Sequence, residues 1–175
     1  IVAFPDTASG PNSTYNTYLA TVSEIGNTWG LTFDFNTQTL FAAAAVRRHA
    51  GFGPNGTGAI YKVDYTATSP SGTLFLDLNA LLGSGTTGND PHPPGTDFFY
   101  DSDSWDAVGK VGLGDLDVSD DGSTLWTVNL AKRQLIEIPV GNGIAPPTNS
   151  NEVGQYDIPC PCSDPLDMRP WAVTY

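Results

Sequence analysis

Apolar residues along this chain recur at every second position, in short bursts separated by turn-forming residues. Leu31, Phe33 and Phe35 alternate with Thr32 and Asp34, the period of a strand that buries one face. The stretches "WGLTF" (29–33), "GAIYKVDY" (58–65), "LGDLDVS" (113–119), "LWTVNL" (125–130) and "RQLIEIPV" (133–140) read as strands in the same way. "LFAAAAV" (40–46) carries no polar residue and reads as a buried strand. Turns follow two of these: "NTQT" after Asp34, and "SDDGST" after Val118, where Asp120, Asp121 and Gly122 tolerate positive φ. Helical signals are confined to "TYLATVSEIG" (17–26) and "LDLNALLG" (76–83), the second ending on Gly83.

Internal repetition organises these bursts. "WAVTY" (171–175) matches "WGLTF" (29–33) in residue character, and "LGDLDVS" aligns with "GLTFDFN" (30–36) through Asp117 on Asp34. The shared unit is strand, acidic turn, strand, connection, strand. Antiparallel units in sequence order predict an all-β fold of β-propeller-like blades, in an incomplete ring of two to three, because closed propellers use about four to eight. A two-sheet β-sandwich is the alternative. The chain then divides, within one all-β domain (1–175), into a first blade region (1–83), a long acidic loop (84–106), a second blade (107–145), and a Pro-rich connection with the opening strand of a third blade (146–175). Residues 171–175 are expected to find their strand partner in residues 1–5 or in another copy of the chain. Loops as long as 84–106 and 141–170 are functional or tied down.

Composition narrows the partners. The 175 residues include 7 Lys and Arg against 19 Asp and Glu, a net charge of −12. Nucleic-acid binding draws its affinity from basic residues meeting phosphates, so that partner is excluded, and an anionic membrane surface is disfavoured likewise. No stretch approaches the roughly 20 apolar residues of a membrane-spanning helix. The opening residues lack the basic and apolar regions of a signal peptide, and a start at Ile1 reads as a processed or excerpted chain. Few basic residues and abundant Thr, Ser, Asn and Gly point to an extracellular or cell-surface setting. Two sequons there would accept glycans, at Asn12 and Asn55.

Four groups of residues are candidates for chemistry. Arg47, Arg48 and His49 are three consecutive basic residues in an acidic chain. They suit an anion or carboxylate site beside Gly51, Gly53 and Gly58, or inter-blade anchors pairing with Asp115 or Asp117. Asp97, Asp101, Asp103 and Asp106 suggest a calcium loop, although the positions of an EF-hand that need Gly and Glu hold Asp106 and Gly112. No other cofactor is expected. Cys160 and Cys162 are close enough for a strained bridge, and pairing with a cysteine of another chain is equally open. No nucleophile elbow, phosphate loop or catalytic triad stands out, so no catalytic residue is nominated.

"VGKVGLGDLDVSDDGSTLWTVNLAKRQLIEIPV" (108–140) resembles a blade from the propeller region of large bacterial surface proteins that carry SdrD B-like domains. "WGLTFDFNTQTLFAAAAVRRHAGFGPNGTGAIYKVDY" (29–65) is similar to the preceding blade, and "RPWAVTY" to the opening of the next. The resemblance implies a secreted or cell-surface propeller. The expected function is a non-enzymatic structural or adhesive module, self-associating or meeting a neighbouring chain or domain through unpaired strand edges, as in an oligomer or filament. Two other readings stand beside it: a carbohydrate-active or lactonase-like propeller enzyme with a calcium site, and a fragment of a larger ligand-binding surface protein.

Overall fold

A computed structural model describes residues 1–9, 17–92 and 94–175; the sequon at Asn12 lies outside them. The fold is predominantly β. Two short strands, β1 (Val2–Ala3) and β2 (Thr17–Tyr18), pair antiparallel. A one-turn helix α1 (Val22–Ile25) follows, with the Thr21 N–H donating to the Glu24 carboxylate at 2.7 Å.

Two four-stranded antiparallel sheets then form in sequence order. The first is β3 (Thr28–Asp34), β4 (Thr39–Ala44), β5 (Ala59–Asp64) and β6 (Thr73–Asp77). Helix α2 (Leu78–Leu82) leaves β6 under an Asp77 cap that accepts from the Asn79 and Ala80 N–H groups, and it stops at Gly83 with φ of 114°. The second sheet is β7 (Leu113–Val118), β8 (Thr124–Asn129), β9 (Gln134–Pro139) and β10 (Gly154–Asp157). The fourth strand of each sheet lies beyond the three-strand unit visible in the sequence, and β10 sits within the Pro-rich stretch read as connection.

The sheets share one core. Phe41, Ile60, Phe75 and Leu78 from the first side meet Leu113, Leu116, Leu125, Ile136 and Ile138 from the second. The other face of the first sheet is covered by the N-terminal segment, where Leu19, Ala20 and Ile25 pack on Leu40, Ala44, Tyr61 and Val63. Strand β4 is therefore buried on both faces, which explains an apolar run without polar alternation.

Each sheet's first strand carries a one-residue irregularity at the same place, between Thr28 and Leu31 in β3 and between Leu113 and Leu116 in β7. Leu31 and Leu116, and likewise Thr39 and Thr124, are then equivalent, each pair 85 positions apart. This corrects the alignment of Asp117 on Asp34: Asp117 is the counterpart of Thr32. These first strands lie against each other so closely that a Cβ on Gly30 would meet the Gly114 carbonyl oxygen and the Leu116 nitrogen at 2.7 Å.

Residues 171–175 extend the row without forming a regular strand. The Asp115 N–H donates to the Trp171 carbonyl at 2.8 Å, and a Cβ on Gly114 would lie 2.5 Å from that oxygen. The segment's neighbour is thus β7 of the same chain, not residues 1–5. Those are engaged elsewhere: Val2 and Ala3 pair with β2, and the Ile1 amino group donates to the Ala20 carbonyl at 2.7 Å.

Candidate binding cleft

The long loop is fastened at two points. At its start, Thr87 joins a buried polar knot: its hydroxyl lies 2.9 Å from that of Thr57 and donates to Asn79 Oδ1, while Asn129 Nδ2 donates to the Thr86 carbonyl. In its middle, Asp101 is buried, with its side chain fully shielded from solvent. One carboxylate oxygen accepts the His49 N–H at 2.5 Å and lies 3.3 Å from His92 Nε2. The other ring nitrogen of His92 faces Asp90 at 3.0 Å. Burial alone would push the Asp101 carboxyl up. The His49 N–H, the Ser104 hydroxyl beside it and the adjacent His92 outweigh that and hold it down at about 2. Ser104 Oγ and the second Asp101 oxygen are themselves buried short of hydrogen-bond geometry.

Arg48 and His49 serve this same anchor. Arg48 donates to the carbonyls of Asp101 and Tyr100, each at 3.4 Å, and stacks on Trp105 with its guanidinium 4.6 Å from the ring centre. His49 Nδ1 lies 2.7 Å from the Phe98 carbonyl. Their partners are therefore in the loop, which corrects the expected pairing with Asp115 or Asp117. Asp115 instead accepts from the Leu116 N–H at 3.0 Å. Asp117 accepts from Val118 N–H at 2.9 Å and Thr32 Oγ at 3.2 Å on one oxygen, and from Tyr175 N–H at 2.7 Å on the other. The glycines expected to cradle an anion are filled by the chain itself. A Cβ on Gly53 would collide with the Tyr61 hydroxyl at 2.5 Å, and one on Gly58 with the Asn79 nitrogen at 2.8 Å.

The four aspartates read as a calcium loop go to separate tasks. Asp97 accepts from the Phe99 N–H at 2.9 Å, Asp101 anchors the loop, and Asp106 takes the Lys110 ammonium at 2.5 Å, which lowers its carboxyl. Asp103 is exposed. Among the described residues no group of three or more His, Cys, Asp or Glu side chains is placed to hold a metal. Cys160 and Cys162 stand as free thiols, because the Cys160 sulfur accepts the Cys162 N–H at 3.1 Å instead of meeting its sulfur. That hydrogen-bonding neighbour and partial desolvation push the Cys162 thiol up. Asn55 is half-buried at the start of a 3-10 turn (Gly56–Gly58), and the sequon's Thr57 is buried.

What the arrangement does create is a cleft where β3 begins and β4 ends, about 500 Å³ in volume. Trp29 and Trp171 meet edge to face at 5.3 Å, with their ring planes at 73°. Ala45 and Val46 line it as buried apolar residues, and Val108 lines it from the segment that leads into β7. Arg47 and Arg48 supply its charge. Arg47 is exposed and has no side-chain partner among the described residues. Reasoning from sequence named the arginines but missed both tryptophans, His92 and Asp90. The shared Trp of "WGLTF" and "WAVTY" was the available signal for the first two, since equivalent strand positions bring them together.

The chain is similar along nearly its whole length to three proteins of Dictyostelium discoideum. It is 30% identical to Colossin-D over 99% of the chain and 18% of Colossin-D. It is 27% identical to Colossin-A, over 98% of the chain and 2% of that protein, and 26% identical to Colossin-C, over 91% of the chain and 15% of that protein. The chain thus spans less than a fifth of the length of the curated relatives it matches, and these are not bacterial proteins. No protein-family model matches the chain. No solved structure matches it.

Proposed function

We propose that the chain is a non-enzymatic structural or adhesive module of an extracellular or cell-surface protein, built from propeller-type blades that dock onto further blades. The observation that carries this reading is the Asp117 carboxylate. It takes Thr32 of the first sheet on one oxygen and Tyr175 on the other, so three repeats of one strand lie in a row. Such a row is what the inner strands of a propeller would form, and β3 and β7 each open an antiparallel meander of their own. Similarity to short segments of much longer proteins fits a module repeated or embedded in a larger chain. The resemblance of 29–65 and 108–140 to surface-protein propellers supports the setting.

The second sheet keeps an open outer face. Trp126 and Tyr156 lie against each other there with ring centres 6.4 Å apart, Tyr156 is 49% exposed, and the buried Trp126 Nε1 has no acceptor among the described residues. The corresponding face of the first sheet is covered by Ile1, Ala3, Leu19, Ala20 and Ile25. An unpaired face and the outer edges of β6 and β10 are what a neighbouring blade or a second copy would cover. Light scattering over a range of concentrations tests this. The 175-residue chain is expected to associate beyond its 18.5 kDa monomer, and Tyr156→Glu to keep it monomeric. A wild-type monomer at millimolar concentration would overturn the reading.

A further inference from the structure

The cleft at Trp29 and Trp171 stands apart from the docking face, and its argument does not depend on the propeller reading. Its walls are two indoles at a steep angle, with Trp29 60% exposed although it stands on a strand of the folded sheet. Ligand pockets are lined mostly by apolar and aromatic side chains with a few placed polar groups, as this concave surface is.

The charge at the cleft is unusual for this chain. Acidic residues outnumber basic ones 19 to 7, so an arginine has many carboxylates within reach. Yet none of the ion pairs among the described residues involves Arg47 or Arg48. Arg48 is spent on loop carbonyls and on Trp105, which fixes its position without a carboxylate at ion-pair distance among the described residues. Arg47 is exposed at the rim, and its side chain has no partner among the described residues. Two guanidinium groups outside any of these ion pairs, beside an apolar corner, call for a ligand with an anionic edge and a flat apolar face.

We propose that this cleft binds an acidic sugar, a hexuronate residue, whose C–H face stacks on Trp29 while its carboxylate meets Arg47. A pyranose ring offers an apolar C–H face to an indole, and a uronate places its carboxylate at the ring's edge, within reach of the rim. An acidic peptide supplies the carboxylate without the flat face, and it leaves the indole corner unfilled. A neutral sugar supplies the face but offers Arg47 no carboxylate.

The test uses the whole chain and tryptophan fluorescence, with glucuronate and short oligogalacturonates as probes, glucose and neutral galactose oligomers as the matched controls, and a tetraglutamate peptide as the competitor class. Acidic sugars are expected to shift the emission saturably at millimolar concentration. Arg47→Gln should weaken their binding about tenfold, the scale of one lost charge-assisted pair. Rising salt should weaken it further. Lys132→Gln, an exposed charge in the turn between β8 and β9, should leave the affinity unchanged. Trp29→Ala should abolish binding while the thermal melt confirms a folded chain. The proposal is overturned if neutral sugars bind as tightly, if the peptide binds more tightly than the uronates, if Arg47→Gln binds like wild type, or if no shift occurs at tens of millimolar.

Discussion

Asp101 is the residue whose loss should loosen the long loop most, and Asp101→Asn isolates its charge. Asparagine keeps the shape and tolerates the left-handed backbone at this position, where φ is 34°. It also keeps an acceptor for the His49 N–H. What disappears is the charge assistance on two contacts, His49 N–H at 2.5 Å and His92 Nε2 at 3.3 Å. Hydrogen bonds to charged groups are worth about 1.5–3 kcal/mol and neutral ones about 0.5–1.5, so each contact weakens by about 1 kcal/mol and the pair by about 2. For a chain of this length that lowers the melting temperature by roughly 4–8 °C at pH 7. The carboxyl sits at about 2 in the folded protein, below its usual 3.8. A depressed acid stabilises the fold above its unfolded value and loses that contribution as pH falls through the folded one. The gap between wild type and Asp101→Asn should therefore hold down to about pH 4 and close by about pH 2. Calorimetric melts across that range measure it, with the exposed Asp103→Asn as a control expected within about 0.5 kcal/mol of wild type. Equal melting of wild type and Asp101→Asn at pH 7, or a gap that survives at pH 2, would refute the reasoning.

Gly114→Ala places a methyl 2.5 Å from the Trp171 carbonyl. It should release residues 171–175, seen as faster hydrogen exchange at the Asp115 amide, while Gly30→Ala wedges the two sheets themselves and costs about 1–3 kcal/mol in the thermal melt. Thr57→Val keeps the volume of a buried hydroxyl that contacts Thr87, Gly88 and Asn79 at 2.9, 2.7 and 2.9 Å. Those polar groups lose their partner, so denaturant titration should show a loss of about 2 kcal/mol.

Much of the site was hidden from sequence reasoning for a physical reason. Runs of neighbouring residues suggest clusters, but a loop spends its side chains locally and sends only a few across space. Asp97, Asp101, Asp103 and Asp106 looked like one site because they are close in sequence, yet Asp97 caps its own turn and Asp106 takes Lys110 four residues on. Only Asp101 crosses to another element, and its partner His49 lies 52 positions away. The basic triplet was visible as chemistry but not as geometry. Arg48 and His49 fasten the loop while Arg47 alone is left at the rim, and alternation along a strand end does not say which of the three is free. The tryptophans were visible only as a repeated letter.

The fold was more legible because its signals are local: alternation, turn chemistry and repetition each mark elements without knowledge of their neighbours. The repeat also shows where such signals fail. Matching Asp117 to Asp34 pairs two acidic residues before two turns, which is plausible by composition. The irregularities in β3 and β7 fix the other solution, in which Leu31 matches Leu116 and Asp117 matches Thr32. Under that register Asp34 corresponds to Ser119, and each serves its own turn: Asp34 accepts from the Asn36 N–H and Thr37 hydroxyl, and Ser119 from the Thr124 N–H. Asp117 is then freed from turn duty and stands in the row between Thr32 and Tyr175. Asp117, where the first repeat has Thr32, ties the repeats together, because a carboxylate has two oxygens and can accept from a strand on each side.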